Sequence, residues 1–389
     1  MIQLGNRDIV ELTEFRRELH RFPEVSGQEA GTALRIASAL HATEPERILT
    51  GLGGHGVAAV FEGREEGPAV LIRCELDALP IEELSRAPYR SATPGTGHLC
   101  GHDGHMAILM GVARTLGRHR PARGRAILLF QPAEEDGSGA AQVMADEAFA
   151  EITPDYAFAL HNMPGMPLGR AALAAGPMNC ASRGALIQLT GRTAHASMPE
   201  TGLSPMAALA QLMPALTALG QGAGPAEEGF RLVTVTHARL GEAAFGIAPG
   251  EAELWATLRT TRDADMAALV GAAEALVNEA AGPLATEISY HDVFRHCEND
   301  PEATAILGRA LDTAGVPWDA GSLPMRASED FGRFADVAKS AMFLLGAGEK
   351  VPALHNPDYD FPDALIATGA RVFLSALDEM LGIGEIRPV

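Results

Sequence analysis

Ala69-Val-Leu-Ile-Arg-Cys-Glu-Leu-Asp77 is a short apolar run that ends in acidic side chains. A run of this length, bounded by turn residues, suits a strand buried on both faces. The pattern returns at Val57–Phe61, Ala126–Phe130, Tyr156–Leu160 and Ala341–Leu345. Helical spacing separates these strands. Residues 7–22 place Ile9, Leu12, Phe15, Leu19 and Phe22 on one face before Pro23 stops the helix, and residues 105–118 do the same with Ile108, Leu109, Val112, Ala113 and Leu116. Further helices are expected over 301–314 and 363–381. Buried strands alternating with helices predict an α/β fold, a mostly parallel sheet with helices on both faces.

After about residue 182 the pattern changes. A strand over 184–191 is followed by a helix from Ser204-Pro205 to about 219, with Ser204 as N-cap and Pro214 expected to kink it. Strands over 231–240 and 251–261, a helix from Asp263 to about 281 and a strand over 285–293 complete the order βαββαβ. That order is the ferredoxin-like unit. The chain thus divides into a first part of the catalytic domain (1–182), an inserted ferredoxin-like domain (183–293) and a second part of the catalytic domain (294–389).

The bulk properties narrow the function. With 47% hydrophobic and 21% charged residues, the 389-residue chain has globular composition. No apolar run reaches the ~18 residues of a membrane span, and Met1–Asp8 has no basic segment leading into an apolar one, which points to the cytoplasm. A net charge of −20 argues against a nucleic-acid partner, whose phosphate backbone it would repel. The four cysteines, Cys74, Cys100, Cys180 and Cys297, form no C-x-x-C pair, and a reducing compartment disfavours disulfides.

Ligands of open α/β sheets gather beyond the carboxyl ends of the strands. Here those ends carry Glu75 and Asp77, then Glu134-Glu135-Asp136, then His161, while the loop after 341–345 holds His355. The loop His98-Leu-Cys-Gly-His-Asp-Gly-His105 immediately precedes a helix. Taken singly, each has an ordinary explanation. A histidine after a strand is usually a hydrogen-bonded surface residue, Glu134-Glu135 could simply open a helix, and Cys100 could be core packing. A thiol, imidazoles and carboxylates converging from five loops have little reason to assemble for packing. Together they suit zinc and related first-row ions better than calcium or magnesium.

These segments resemble the M20 family of metallopeptidases and amidohydrolases, and within it the hydrolases of N-acyl amino acids, hippurate and indole-acetyl amino acids. The resemblance spans the chain through Arg73–Pro80, Cys100–His105, Gln131–Glu135, Leu160-His161, Gly191–His195, Ser328–Phe331 and Leu354–Pro357. It implies two divalent metal ions, zinc or manganese with nickel or cobalt as alternatives, bridged by Cys100. His102 and His161 would complete one ion, Glu135 and His355 the other. Glu134 would act as general base and acid on a hydroxide held between the ions, and Asp77 would orient the site. His195 would reach the partner subunit's site and stabilise the oxyanion, and Arg259 would bind the substrate carboxylate. A homodimer through the inserted domain and a small N-acyl amino acid as substrate complete the expectation. A dipeptidase or carboxypeptidase of the same family is the alternative, followed by a non-catalytic metal- or ligand-binding protein. Three positions depart from the family pattern: Gly246 replaces a frequent Asn, Glu75 an Asp, and Glu200 a frequent His.

Overall fold

A computed structural model describes residues 4–383. In chain order its longer elements are α1 (Asn6–Arg21), α2 (Ala30–His41), β1 (Arg47–Leu52), β2 (Gly56–Glu62), β3 (Glu65–Glu75), α3 (His102–Arg118), β4 (Arg123–Gln131), α4 (Gly139–Ala145) and β5 (Tyr156–Pro164). They continue as β6 (Ala181–Thr190), α5 (Met206–Thr217), β7 (Arg231–Leu240), β8 (Glu251–Thr260), α6 (Asp263–Ala281), β9 (Ala285–Phe294), α7 (Pro301–Ala314), β10 (Lys339–Gly348) and α8 (Ala364–Leu381). Two compact units result. The first runs to Met178 and resumes over Glu298–Leu323 and from Asp330; the second is Asn179–Cys297 with Pro324–Glu329.

The first unit is built on a sheet of order β1-β2-β4-β3-β5-β10, extended by the two-residue strands Ala171–Ala172 and Trp318–Asp319. The central pairs β4/β3, β3/β5 and β5/β10 are parallel, whereas β1/β2 and β2/β4 are antiparallel. Sheet and helices are mixed as the apolar runs predict. Alternate strand residues, among them Val57, Phe61, Val70, Ile72, Leu128 and Phe343, pack into one core with α1, α3, α7 and α8. On the other face α4 packs against β4, and the 3-10 turn Asp330–Asp336 packs against β10. Helix α3 is buried nearly all round, which is why its sequence reads as apolar on more than one side.

The helix expected over 105–118 opens earlier, at His102. Gly101 makes this possible: its φ of 91° is left-handed, a conformation glycine adopts without strain. The shift places His102 and His105 in the helix's first two turns.

The second unit has sheet order β7-β8-β6-β9, all antiparallel, with its own core drawn from the strands and from α5 and α6. This is the ferredoxin-like arrangement. Helix α5 contains Pro214 and starts at Met206, with Pro205 as its N-cap, one residue later than expected; the Ser204 hydroxyl still accepts the Met206 N–H at 3.3 Å. The unit also takes in residues outside 183–293. β6 pairs with β8 from Ala181 onward, and the Cys180 N–H donates to the Met325 and Ala327 carbonyls at 3.2 and 3.1 Å. That bonding gathers Pro324–Glu329 into this unit. Among the described residues no helix is long and apolar enough to cross a membrane.

Candidate metal centre and active site

Parallel strands all end on the same side of their sheet, so β3, β4 and β5 deliver their terminal residues to one place. β3 ends at Glu75, with Asp77 two residues on; β4 leads to Glu134 and Glu135; β5 contains His161; the first turn of α3 supplies His102, and the preceding loop Cys100. Two donor groups emerge, each with its ligand atoms within 4.8 Å of one another: Cys100, His102 and His161, and Cys100, Glu135 and His355. Cys100 is common to both. The Sγ lies 3.4 Å from His161 Nε2, and Glu135 Oε2 lies 3.6 Å from His355 Nε2.

The imidazoles are oriented for metal. His102 Nδ1 donates to the Asp77 carbonyl at 2.9 Å and His161 Nδ1 to the Asn162 carbonyl at 2.8 Å. A carbonyl oxygen only accepts, so Nδ1 carries a proton in each ring and Nε2 is the atom left for the donor group. Burial opposes charge on His102, but Asp77, Glu75 and Glu135 outweigh it and raise its pKa to about 10, so this ring must give up its Nε2 proton to bind a cation. His102 Nε2 is buried with no hydrogen-bond partner, a costly arrangement unless a cation or ligand satisfies it. Burial, reinforced by His105, drives the His161 pKa down to about 3, so this ring is neutral. Burial and then the carboxylates of Glu135, Glu134 and Glu75 push the Cys100 thiol far up. A thiol so placed ionises only against strong positive charge, and the donor set fits divalent cations.

Asp77 ties the two groups together. Its Oδ2 accepts from Ser26 Oγ at 2.8 Å and from the Glu135 N–H at 2.9 Å, while its carbonyl holds His102. Glu134 is nearly buried, with Oε2 3.9 Å from His102 Nε2. The residue before it, Ala133, has a φ of 51°, and His355 a φ of 65°. Left-handed backbone at non-glycine residues is strained and clusters at functional sites. The Ala133 N–H donates to buried Glu29 at 2.8 Å.

A third donor group, Glu75, His102 and His105, also falls within 4.8 Å. His105 is already committed there: its Nδ1 donates to Glu75 Oε2 at 2.6 Å and its Nε2 accepts the Asn162 N–H at 3.2 Å. Glu75 also pairs with buried Arg73, which bonds Gln131 and Asp330. The glutamate that departs from the family pattern therefore braces the site from below. His98, flagged only by its place in the loop, is buried with no hydrogen-bond partner on either ring nitrogen. Burial takes its pKa down to about 4, so it is neutral.

The expected residues thus fall into two sets. Cys100, His102, Glu135, His161, His355, Glu134 and Asp77 converge within the first unit, whereas His195 and Arg259 belong to the second. His195 is exposed, paired in register with Ile247, and its Nδ1 lies 2.8 Å from Ser197 Oγ. Arg259, on β8, donates to the Arg326 carbonyl at 3.0 Å and to Ser328 Oγ at 2.8 Å. Gly246 accepts the Ala196 N–H through its carbonyl at 3.0 Å, so the position is used through its main chain. Glu200 sits on an exposed 3-10 turn. Glu29, His105 and Asn162 carry bonds that sequence reading did not assign; the only signal was the histidine spacing after Cys100.

A model of peptidase family M20/M25/M40 matches residues 71–379. The chain belongs to this family. M20 relatives include an N-acetyl-L-cysteine deacetylase of Bacillus subtilis (strain 168), 30% identical over 380 residues and covering 96% of this chain and 89% of the relative. A hippurate hydrolase of Campylobacter jejuni is 30% identical over 370 residues, 93% of this chain and 94% of that one. Among solved structures, the Bacillus subtilis YXEP protein, described as a dinuclear metal binding peptidase from the M20 family, superposes with a TM-score of 0.79 at 25% identity, over 97% of this chain and 100% of that one. As an M20 enzyme the chain is a metal-dependent amidohydrolase.

Proposed function

We propose that this M20 enzyme cleaves the amide bond of N-acyl amino acids, with acetyl or benzoyl as the acyl group, and that Glu134 is its general base and acid. The observation that carries the reading is the shared thiol: Cys100 belongs to both donor groups, with the carboxyl of Glu134 beside them. Two divalent ions held by Cys100, His102, His161, Glu135 and His355, zinc or manganese first among them, would supply an electrophile for the scissile carbonyl and acidify a water. Glu134 takes the proton of that water and hands it to the leaving nitrogen. Such transfer is worth roughly 10²–10⁴-fold in rate. Asp77 holds the main chain of Glu135 and the ring of His102 in place. Arg259 would receive the substrate carboxylate, and His195 would donate to the developing oxyanion in a homodimer formed through the second unit. The apolar surface around His195 supports the last point, since Phe245 is fully exposed and Ile247 and Met198 stand half exposed beside it. The relatives named for N-acetylcysteine and hippurate support an acylated amino acid over a free dipeptide.

The test is amine release from a panel of N-acetyl, N-benzoyl and longer N-acyl amino acids and unblocked dipeptides, with and without chelator. Chelator-sensitive release from the acylated panel is expected. Turnover confined to dipeptides would replace this reading with a peptidase, and stoichiometric metal without turnover would favour a binding protein.

A further inference from the structure

Asn162 follows the metal-site histidine His161, and its side chain is fully buried. All four of its polar groups are used, and each reaches a different part of the site. Its N–H donates to His105 Nε2 at 3.2 Å, and its carbonyl accepts from His161 Nδ1 at 2.8 Å. Its Nδ2 donates to the Cys100 carbonyl at 2.9 Å, and its Oδ1 accepts the Tyr359 hydroxyl at 3.0 Å. Cys100 is the shared thiol, and Tyr359 lies four residues beyond His355. One side chain therefore touches the loop before α3 and the loop after β10, while its main chain fixes the ring of His161.

The fit is close. A β-carbon at Gly101 would fall inside the Asn162 amide, so the left-handed glycine beside Cys100 is also what admits this side chain. The two partners define the amide's orientation: a carbonyl on one side needs the NH2 group, which leaves the oxygen for the tyrosine hydroxyl.

We infer that Asn162 is a positioning residue of the metal centre, holding the Cys100 loop and the His355 loop in register so that one thiol serves both donor groups. Its side chain is fully buried, so it acts on the donors through the loops it bonds. An aspartate of the same shape would keep both main-chain bonds but turn an oxygen toward the Cys100 carbonyl, displacing that loop. Partners that orient metal ligands are worth about 10–100-fold in metal affinity.

The inference rests on the metal-centre reading above, and its test separates the two. Apo protein is titrated with Zn²⁺ against a chromophoric chelator, and with Co²⁺ while the near-ultraviolet thiolate-to-cobalt charge-transfer band is recorded. Wild-type protein that binds neither ion, or binds cobalt without that band, would defeat the metal-centre reading itself. With wild type binding both, Asn162→Asp is expected to lose about 10–100-fold in Zn²⁺ affinity and to shift or weaken the band. Asn162→Asp with zinc affinity within twofold of wild type and an unchanged band would overturn the inference, even if the variant melts at lower temperature. Tyr359→Phe, which deletes only the hydroxyl bond, decides the matter if Asn162→Asp does not fold. A several-fold affinity loss and an altered band support the role, and wild-type behaviour overturns it.

Discussion

Asp77 shows how much of this site rests on side chains that need not touch metal. It holds His102 through its carbonyl and Glu135 through its carboxylate, one member of each donor group. Replacing it by alanine is expected to weaken metal affinity about 10–100-fold while the protein stays folded; chelator competition measures this, and unchanged affinity would contradict the orienting role. The candidate donors could be named from the sequence because their residue types are rare together and stand at strand ends. Their supports could not. Glu29 meets Ala133 across 104 positions and Tyr359 meets Asn162 across 197, and no local pattern signals such pairs. The left-handed φ of Ala133 and His355 was equally invisible, since neither is a glycine.

At the scale of elements, α3 is the piece on which the centre depends. It begins one residue after Gly101 and lies buried against α1 and α8. Close packing explains one glycine of α3 and one of α8: a β-carbon at Gly104 would collide with the Phe361 ring, and one at Gly369 with Ile108. Gly104→Ala is expected to cost about 1–3 kcal/mol by overpacking, read as a lower denaturant midpoint with unchanged slope. A variant as stable as wild type would mean that this contact yields easily. Apolar periodicity found α1, α3, α7 and α8 and all five core strands, because burial writes itself into those residues. It passed over α2 and β1. Three of the six β1 residues are only half-buried and two more are exposed, and α2 buries only Thr32, Ile36 and Leu40 fully, so the apolar signal there is thin. Sheet order was inaccessible for a different reason: β3 lies between β4 and β5, an arrangement set by long-range pairing.

At the scale of the whole molecule, a buried ionic network connects α1 to the first turn of α3 and to Glu83 in the segment before it. His20 bonds Asp103 at 2.9 Å and Glu83 at 3.2 Å, and Arg16 pairs with Asp103, Asp360 and Asp363. Burial opposes charge on His20, but the bonds to Asp103 and Glu83 outweigh it and raise its pKa from 6.5 to about 10. A raised pKa means the fold favours the protonated ring. Its contribution to stability is therefore complete below pH 6.5 and lost as pH rises through about 10. Glu83 behaves in the opposite sense. Burial again opposes charge, yet bonds from His20, Ser85 and the Ser91 N–H lower its pKa from 4.5 to about 2, so its contribution holds above 4.5 and fades toward 2. The melting temperature of wild type should accordingly fall between pH 6.5 and 10 more steeply than that of His20→Gln. Parallel curves would remove His20 from the account. No pattern along the chain places Pro324–Glu329 with the second unit, because its position there depends on bonds to Cys180 and Arg259.

The most direct test of the central claim is a paired measurement on Glu134→Gln: bound metal per chain, and kcat on the best N-acyl amino acid. Two ions retained, with kcat reduced by roughly 10²–10⁴-fold, is the predicted result. Turnover near the wild-type rate would contradict the assignment of Glu134 as the proton carrier, and loss of metal would make it a ligand instead.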